Sequence, residues 1–242
     1  MNRPERRIAF VTGGSKGIGK EVVRGLAHKG VVVIIGARNK EVGERAASEL
    51  SSEGTVLFHS FDVTDQTSCY QGAKFVEREF GKLDILINNA GIASDGPPGT
   101  RERRPPSQVP ISEVKTIYET NVFGVIGTIQ AFLPLLRQAP AGRIVNVSSG
   151  LGILNSDREF FNMAYSSSKT ALNAVTRHFA CEFQGSSITI NSAAPGFCAT
   201  ELNNFTGPRT PAQGAAIIVR LALMGDDSPN SGFFDENGPL PW

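Results

Sequence analysis

The sequence is poor in cysteine, histidine and net charge, and each shortage excludes a class of protein. It has 3 cysteines and 3 histidines in 242 residues. The cysteines are odd in number and far apart, at Cys69, Cys181 and Cys198, which argues against a disulfide framework and favours a reducing compartment. No Cys or His residues recur at ligand spacing, so we expect no metal site. Lys and Arg total 24 against 23 Asp and Glu, which favours neither nucleic acid nor an anionic membrane as a partner.

Long hydrophobic runs are also scarce. The apolar run that follows the N-terminal charges ends at Gly13 and Gly14, too early for the apolar region of a signal peptide. The longest apolar stretch runs from Val122 to Leu136, contains Gln130 and Pro134, and falls short of a membrane span. We therefore expect a cytoplasmic protein.

Patterns of buried strands and amphipathic helices alternate along the chain. Continuous apolar runs, typical of strands buried on both faces, occur at residues 8–12, 31–36, 56–61 and 83–87, and later at 142–149 and 188–194. The alternation predicts an α/β fold: a doubly wound parallel sheet flanked by helices on both faces, as a three-layer sandwich. We find no internal repeat or linker and expect one dinucleotide-binding domain over residues 1–242. A long helix is predicted from Ile111 to Arg137, bent or ended by Pro134.

The segment between the first strand and the first helix is rich in glycine. A strand, a glycine loop and a helix in this order suit a dinucleotide pyrophosphate, because the helix N-terminus offers unpaired N–H groups and a partial positive charge. Gly13 allows a tight turn, Gly17 lets the backbone approach phosphate, and Gly19 lets the helix pack closely on the strand. The spacing Gly-x-x-x-Gly-x-Gly also fits a structural turn.

The residues after the second and third strands bear on which dinucleotide is bound. Ala37 and Arg38 stand where an acidic residue would bind the ribose hydroxyls of NAD. A guanidinium matches a 2′-phosphate, and Lys16 can approach the same phosphate from the glycine loop. The pattern favours NADPH, although Arg38 equally fits a solvated loop charge. Asp62 suits either the adenine amino group or a cap of the next helix, shared with Thr64 or Asp65.

Tyr165 and Lys169 lie one turn apart on a predicted helix. A free tyrosine has a pKa of about 10 and is a poor base at neutral pH. A neighbouring ammonium favours the phenolate and lowers the pKa by ~1–3 units. A tyrosine tuned in this way can give or take a proton near pH 7. The spacing alone also fits an ordinary surface pair.

Further motifs follow one another along the chain: Asn88-Asn89-Ala90-Gly91, Asn121, Ser149 and Pro195-Gly196. With the glycine loop and Tyr165-x-x-x-Lys169, they resemble the short-chain dehydrogenase/reductase family in order and spacing from about Ile8 to Leu223. The resemblance implies a Rossmann-type fold, and the pattern of Lys16 and Arg38 is similar to the NADPH-dependent branch. The C-terminal part is similar to carbonyl reductases and plant menthone-type reductases. The function implied is an NADPH-dependent carbonyl reductase that reduces ketones or aldehydes to alcohols.

The resemblance also assigns roles to residues. Tyr165 would donate its proton to the carbonyl oxygen, while Lys169 would lower the pKa of Tyr165 and bond the nicotinamide ribose. Ser149, with Ser148 as the fallback, would orient the carbonyl. Asn121 would hold a water that links Lys169 to solvent, or would only mark a helix kink in the core.

Two larger sets follow from the same resemblance. Besides Tyr165 and Lys169, the residues expected to bind the cofactor are Gly13, Ser15, Lys16, Gly17, Ile18, Gly19, Arg38, Asp62, Val63, Asn88, Ala90, Gly91, Pro195, Gly196 and Thr200. The residues expected to contact substrate are Ser149, Leu151, Phe161, Tyr165 and Phe197. The apolar members suit a hydrophobic carbonyl compound but equally fit the core.

Two other functions stay open at this stage. Reduction of a 3-oxoacyl group on a carrier protein would need a basic surface, for which Arg101–Arg104 in the irregular loop 93–110 is the candidate. A non-catalytic NADP(H)-sensing regulator would need only the nucleotide site. The expected partner is a small carbonyl compound. Because the stretch from Ser149 to Tyr165 is short, a homodimer or homotetramer through the Asn121 and Tyr165 helices is an alternative to a monomer.

Overall fold

The structure is a computed structural model that describes residues 6–94, 104–155, 162–225 and 227–242. Its sheet has the strand order β3-β2-β1-β4-β5-β6-β7-β8. The strands are β1 (Ile8–Thr12), β2 (Val32–Ala37), β3 (Val56–Ser60), β4 (Ile85–Asn88), β5 (Arg143–Val147), β6 (Thr189–Ala193), β7 (Phe233–Asp235) and β8 (Gly238–Pro239). Strands β1 to β7 pair in parallel, and the two-residue β8, which the sequence did not reveal, pairs antiparallel with β7.

Helices cover both faces of the sheet. They are α1 (Gly17–His28), α2 (Lys40–Leu50), α3 (Gln66–Phe80), α4 (Ile111–Tyr118), α5 (Gly124–Leu136), α6 (Met163–Glu182) and α7 (Pro211–Leu223). Alternate strand residues point to opposite faces, so Ile8 and Phe10 pack with α3, α5 and α6, whereas Ala9 and Val11 pack with α1, α2 and α7. This arrangement confirms the predicted doubly wound α/β fold.

The helix predicted from Ile111 to Arg137 is interrupted in the structure, because a π-helical turn at Glu119–Phe123 separates α4 from α5. Pro134, which was predicted to bend or end the helix, lies inside α5 without ending it. Proline removes one backbone donor and displaces the carbonyl four residues earlier, that of Gln130. Pro134 and Gln130 are both exposed, so water can satisfy that carbonyl and the helix continues to Leu136.

The same run, Ile111–Leu136, is long and apolar enough to cross a membrane by length and composition alone. Half of its most apolar window is buried within the protein. Val125, Ile129, Phe132 and Leu136 belong to the core against the sheet. Packing on the sheet therefore accounts for the apolar character of this helix.

The carboxyl ends of parallel strands lie at one edge of the sheet, and the predicted site residues follow four of them. The glycine loop follows β1, residues 88–91 end and follow β4, Ser148 and Ser149 follow β5, and residues 195–200 follow β6. In the sheet β1, β4, β5 and β6 are consecutive neighbours. The topology thus brings together segments that are distant in sequence, as ligand sites of doubly wound sheets require.

Candidate active site

The glycine loop has the backbone that its sequence predicts. Gly13 and Gly17 have φ values of 64° and 53°, in the left-handed region that favours glycine. A Cβ at Gly19 would lie 2.3 Å from the Gly13 carbonyl oxygen, so α1 can pack against the loop only with glycine there. The loop runs into the N-terminus of α1, which offers backbone N–H groups to an anion.

Thr12 and Asn89 hold this loop. Neither role was predictable beyond the place of the two residues at the ends of neighbouring strands. Thr12 Oγ1 accepts from the backbone N–H groups of Asn89 and Ala90, each at 3.0 Å, and donates to the Ile87 carbonyl at 3.3 Å. Asn89 Nδ2 donates back to the carbonyls of Thr12 at 3.0 Å and Gly13 at 3.1 Å. These bonds fix the glycine loop against the end of β4.

Close contacts continue from this loop to the lysine predicted as catalytic. A Cβ at Gly13 would lie 3.0 Å from the Ala90 Cα, and a Cβ at Gly91 would lie 3.6 Å from Lys169 Nζ. The glycine loop, residues 90–91 and the Lys169 side chain are therefore close neighbours. Asn88, also predicted for the ribose, donates from Nδ2 to Asn146 Oδ1 at 2.8 Å, and its own buried Oδ1 has no partner among the described residues.

Tyr165 and Lys169 are both buried in the first turns of α6. Asn162 begins this helix: its Oδ1 accepts from the Tyr165 N–H at 3.0 Å, and its Nδ2 donates to the Ala93 carbonyl at 2.7 Å. Lys169 Nζ donates to the Val147 carbonyl at 2.8 Å and lies 5.6 Å from the centre of the Tyr165 ring. Burial lowers the pKa of Lys169 from 10.5 to about 8. An ammonium at this site is therefore poorly solvated and close to a phenol.

The two serines after β5 face different surroundings. Ser148 is buried, and its Oγ donates to the Lys169 carbonyl at 3.5 Å. Ser149 is only partly buried, and its Oγ accepts from the Leu151 N–H at 3.2 Å, at the start of the 3₁₀ turn Gly150–Gly152. The Ser149 hydroxyl therefore still has its proton to donate, whereas Ser148 uses its proton in the core.

Asn121 lies in the π-helical turn between α4 and α5 and is fully buried. Its Oδ1 accepts from the Ile92 N–H at 2.9 Å, and its Nδ2 donates to the Ile92 carbonyl at 2.9 Å and to Ser168 Oγ at 3.0 Å. A Cβ at Gly91 would approach Asn121 Oδ1 to 3.2 Å. Asn121 thus lies in a π-helical turn in the core and beside Gly91, which also adjoins Lys169. Such turns are frequent at functional sites.

The adenosine end of the predicted site is more open. Arg38 is exposed just beyond β2, and the guanidinium has no hydrogen-bond or ion-pair partner within the described parts of the chain. Lys16, expected to share the same phosphate, instead pairs with Glu201. Asp65 caps α3 through the Thr67 N–H at 2.9 Å. Asp62 instead bonds the backbone and hydroxyl of Thr64, at 2.9 and 2.8 Å.

The segment after β6 reaches the glycine loop. Gly196 has a φ of 79°, which turns the chain after Pro195. A Cβ at Gly17 would lie 3.4 Å from the Thr200 side chain, so Thr200 lies against the loop that is expected to hold phosphate. The cofactor-binding role expected of Thr200 stays a prediction.

Apolar side chains flank the same edge of the sheet. Of the predicted substrate residues, Leu151 is partly buried, Phe197 is half exposed, and Phe161 lies outside the described residues. Leu154 and Phe205, which the sequence did not single out, are 67% and 65% exposed and belong to the segments that follow β5 and β6.

The arginine run proposed for a carrier protein lies mostly outside the described residues. Its last member, Arg104, is described, and its guanidinium pairs with Glu113 at 3.1 Å. This pairing reduces the positive charge that Arg104 could offer to an acidic partner.

Curated proteins resemble this chain over nearly its whole length. (+)-Neomenthol dehydrogenase of Capsicum annuum is 32% identical over 300 residues, covering 94% of this chain and 95% of its own. That alignment exceeds the 242 residues here, so the relative has residues that this chain lacks. Salutaridine reductase of Papaver somniferum is 32% identical, with 96% and 94% covered.

Solved structures also resemble this chain over nearly its whole length. The structure of salutaridine reductase from Papaver somniferum matches with a TM-score of 0.83 and 30% identity, covering 96% of this chain and 100% of that one. The Pseudomonas aeruginosa RhlG/NADP active-site complex matches with a TM-score of 0.84 and 29% identity, covering 95% and 94%. The family model described as short chain dehydrogenase matches residues 7–210. The chain therefore belongs to the short chain dehydrogenase family and is an oxidoreductase.

Proposed function

We propose that this protein is an NADPH-dependent carbonyl reductase that converts apolar ketones or aldehydes to alcohols. The observation that carries the proposal is the buried Lys169, whose Nζ lies 5.6 Å from the Tyr165 ring and next to Gly91. Burying an ammonium beside a phenol is costly for stability and is useful where a proton must be transferred.

The residues at the carboxyl edge fit a dinucleotide with a 2′-phosphate. The left-handed Gly13 and Gly17 and the N-terminus of α1 suit a pyrophosphate. The unpartnered Oδ1 of Asn88 is an acceptor for a hydroxyl, and the exposed Arg38 is placed for a phosphate dianion. Relatives support the same cofactor, since one is named carbonyl reductase [NADPH] 1 and several structural neighbours are NADP complexes.

The proposed mechanism assigns one task to each side chain. When bound, the nicotinamide would supply the hydride. Tyr165 donates its phenolic proton to the substrate carbonyl oxygen, and the Lys169 ammonium stabilises the phenolate that remains. The Ser149 hydroxyl donates a hydrogen bond that orients the same oxygen. The Asn121 amide bonds the N–H and the carbonyl of Ile92. From this position it would orient the groups next to Lys169 through which the proton returns to Tyr165.

The exposed side chains of Leu154, Phe197 and Phe205 support an apolar substrate. Relatives named neomenthol dehydrogenase and salutaridine reductase are in keeping with an enzyme that acts on a small organic molecule. We therefore assign a hydrophobic carbonyl compound as the substrate class.

The test is oxidation of NADPH by purified protein with a panel of cyclic ketones and aromatic aldehydes. Tyr165→Phe removes the proton donor and should lower kcat by ~10²–10⁴-fold. Tyr70→Phe is the matched control, because Tyr70 is 60% exposed on α3 and should keep full activity. Unchanged turnover in Tyr165→Phe would remove Tyr165 as the acid. Cofactor binding without turnover on the whole panel would instead favour a nucleotide-sensing regulator.

A further inference from the structure

The turn that carries Ser149 ends in a small apolar cluster. Ile153, the residue just after the 3₁₀ turn Gly150–Gly152, is buried in this cluster. The other members of the cluster are Ala194, Phe233, Leu240 and Trp242. The last two belong to the residues after β8, here called the 240–242 segment. The cluster therefore joins the turn after β5 to a segment that is far from it in the sequence.

Trp242 is held from two sides. Its ring stacks on Phe233, with the ring centroids 5.7 Å apart and the planes inclined by 24°. The Arg177 guanidinium lies 5.4 Å from the centre of the Trp242 ring. The Leu240 N–H donates to the Phe233 carbonyl at 2.7 Å, which continues the pairing of β8 with β7. The 240–242 segment is therefore fixed both to the sheet and to α6.

One face of α6 contacts both the turn and this segment. Thr170 Oγ1 donates to the Gly152 carbonyl at 2.9 Å, and a Cβ at Gly152 would lie 2.9 Å from the carbonyl carbon of Lys169. Arg177 follows Thr170 by about two helical turns and lies on the same face of the helix. The helix that begins with Tyr165 and Lys169 thus packs on the turn near its start and on Trp242 further along.

The turn is short and tightly bonded within itself. The Gly152 N–H donates to the Ser149 carbonyl at 2.9 Å, and the Ile153 N–H donates to the Gly150 carbonyl at 3.3 Å. A movement of Ile153 is therefore passed on to Ser149 rather than absorbed between them. Because α6 contacts the turn at Gly152, the turn can still rotate about that place. The packing of Ile153 in the cluster supplies a second fixed point and stops the rotation.

We propose that Trp242 and Ile153 are positioning residues, which fix through the apolar cluster the direction in which the Ser149 hydroxyl meets the substrate carbonyl. This inference rests on the proposed function, in which that hydroxyl orients the carbonyl oxygen. Tyr165 and Lys169 are held by other contacts, with Asn162 and Val147 respectively. Loss of the cluster should therefore impair the orientation of the carbonyl and spare the proton donor.

The first test is a double-mutant cycle on kcat/KM, with NADPH and a ketone of the panel that the wild-type protein reduces. Trp242→Leu should lower kcat/KM by ~10-fold, since a misplacement of about 1 Å can cost up to ~100-fold. Ser149→Ala has already lost the orienting hydroxyl, so adding Trp242→Leu to it should cost less than about two-fold more. The Kd of NADPH and the pH dependence of kcat should stay as in the wild type.

Two control variants accompany the cycle. Trp242→Phe keeps a ring on Phe233 and should retain most of the activity. Phe75 resembles Trp242 in its contacts, since its ring stacks on His59 with centroids 4.6 Å apart and lies 5.6 Å from the Arg78 guanidinium. It belongs to α3, in the half of the helix further from the carboxyl edge. Phe75→Leu should therefore leave kcat/KM unchanged.

Equal losses from Trp242→Leu in the wild-type and Ser149→Ala backgrounds would refute the positioning role, because the two residues would then act independently. An unchanged kcat/KM in Trp242→Leu would refute it as well. If the wild-type protein reduced no compound of the panel, the proposed function would fail and the positioning role with it. Wild-type activity therefore distinguishes the two failures.

The second test needs neither cofactor nor substrate. The sequence has 1 tryptophan, so tryptophan fluorescence reports on the 240–242 segment alone. Ile153→Ala removes the side chain through which the turn joins the cluster, and it should raise the quenching of Trp242 by acrylamide by ~2-fold. Phe75→Leu should leave the quenching as in the wild type. Ile153→Ala also replaces Trp242→Leu in the kinetic cycle if the latter does not fold. Quenching that Ile153→Ala leaves unchanged would show that the turn and the segment are not coupled, and would overturn the proposal.

Discussion

The two edges of the parallel sheet each bury a basic side chain, and the two side chains differ in how many hydrogen-bond acceptors surround them. Arg143 begins β5 at the amino edge and is 3% exposed. Lys169 belongs to α6, but its Nζ contacts Val147 at the end of β5, at the carboxyl edge, and the residue is 4% exposed. Arg143 donates to the carbonyls of Gly142, Ser187, Met224 and Gly225. For Lys169, the hydrogen bond found among the described residues is the one to Val147.

The amino edge satisfies its other buried charge as well. The Asp84 carboxylate accepts from the Ile8 N–H at 2.8 Å and pairs with Lys82 at 3.2 Å. When a buried charge with several hydrogen-bond partners in the fold is removed, those partners lose their bonds and the folded state is destabilised. Arg143 and Asp84 therefore serve structure.

The carboxyl edge leaves its buried charge under-solvated. The lowered pKa of Lys169, about 8, reflects burial without a carboxylate partner. Such a site destabilises the protein and keeps the ammonium available to a neighbouring phenol. Equal burial at the two edges thus marks structure in one case and chemistry in the other, and the number of hydrogen-bond acceptors distinguishes them.

Removal of the Arg143 guanidinium is the largest expected effect. Arg143→Met removes a buried guanidinium together with its hydrogen bonds to four carbonyls and should lower the free energy of unfolding by about 2–4 kcal/mol. Denaturant unfolding measures the change. Arg137→Met is the control, because Arg137 is 60% exposed in a surface pair with Glu182 and should cost at most about 1 kcal/mol. Equal losses in the two variants would erase the structural role given to the amino edge.

Removal of the Lys169 charge should act in the opposite direction. Lys169→Met ends the burial of an ammonium and should raise the free energy of unfolding at pH 7 by about 1–3 kcal/mol, the lost bond to Val147 offsetting part of the gain. Activity should fall at the same time, because the phenolate loses its cation. A variant less stable than wild type at pH 7 would show that Lys169 serves the fold as Arg143 does.

The gain in the free energy of unfolding that Lys169→Met brings should depend on pH. At pH 7 the wild-type lysine is protonated both folded and unfolded, so folding carries the full cost of burying the charge. Folded Lys169 loses its proton near pH 8, whereas the unfolded chain keeps it until about pH 10.5. Between these values the unfolded state binds more protons, so wild-type stability rises with pH relative to the variant. The stability difference should therefore narrow from pH 8 to pH 10.5.

The carboxyl edge also contains a polar group that is fully paired, which sharpens the comparison. Thr12 is 1% exposed, and its hydroxyl bonds Asn89, Ala90 and Ile87. Thr12→Val leaves the backbone N–H groups of Asn89 and Ala90 without this acceptor. It should lower the free energy of unfolding by about 1–2 kcal/mol and weaken nucleotide binding. Thr12→Ser keeps the hydroxyl and should bind nucleotide as the wild type does. If the two variants bound nucleotide equally well, the hydroxyl would have no part in holding the glycine loop.

The sequence predicted the fold well because buried parallel strands and amphipathic helices have strong periodic patterns. It did not predict the π-helical turn that divides the helix expected from Ile111 to Arg137, because no local pattern announces that turn. It also did not predict β8, which is too short to carry a pattern. The choice of Ser149 over Ser148 as the residue that orients the carbonyl rested on the resemblance alone. Only the hydrogen bonds of the two hydroxyls give that choice a physical reason.

Among the site residues, those with backbone requirements were predictable and those with side-chain partners were not. Gly13 and Gly17 signal their left-handed conformations directly. The pairing of Lys16 with Glu201 joins residues 185 positions apart, and no local pattern announces it. The bonds of Asn89 to the glycine loop depend on β1 and β4 being neighbours, which the strand order decides.

The most direct test of the contrast between the edges is titration of the lysine side chains by ¹³C NMR at the ε-methylene carbons. One lysine signal should titrate near pH 8 and be missing from Lys169→Met, while the exposed lysines titrate near their ordinary pKa of about 10.4. If every lysine in the wild-type protein titrated at that ordinary value, Lys169 would not be an under-solvated cation, and the chemical role given to the carboxyl edge would be contradicted.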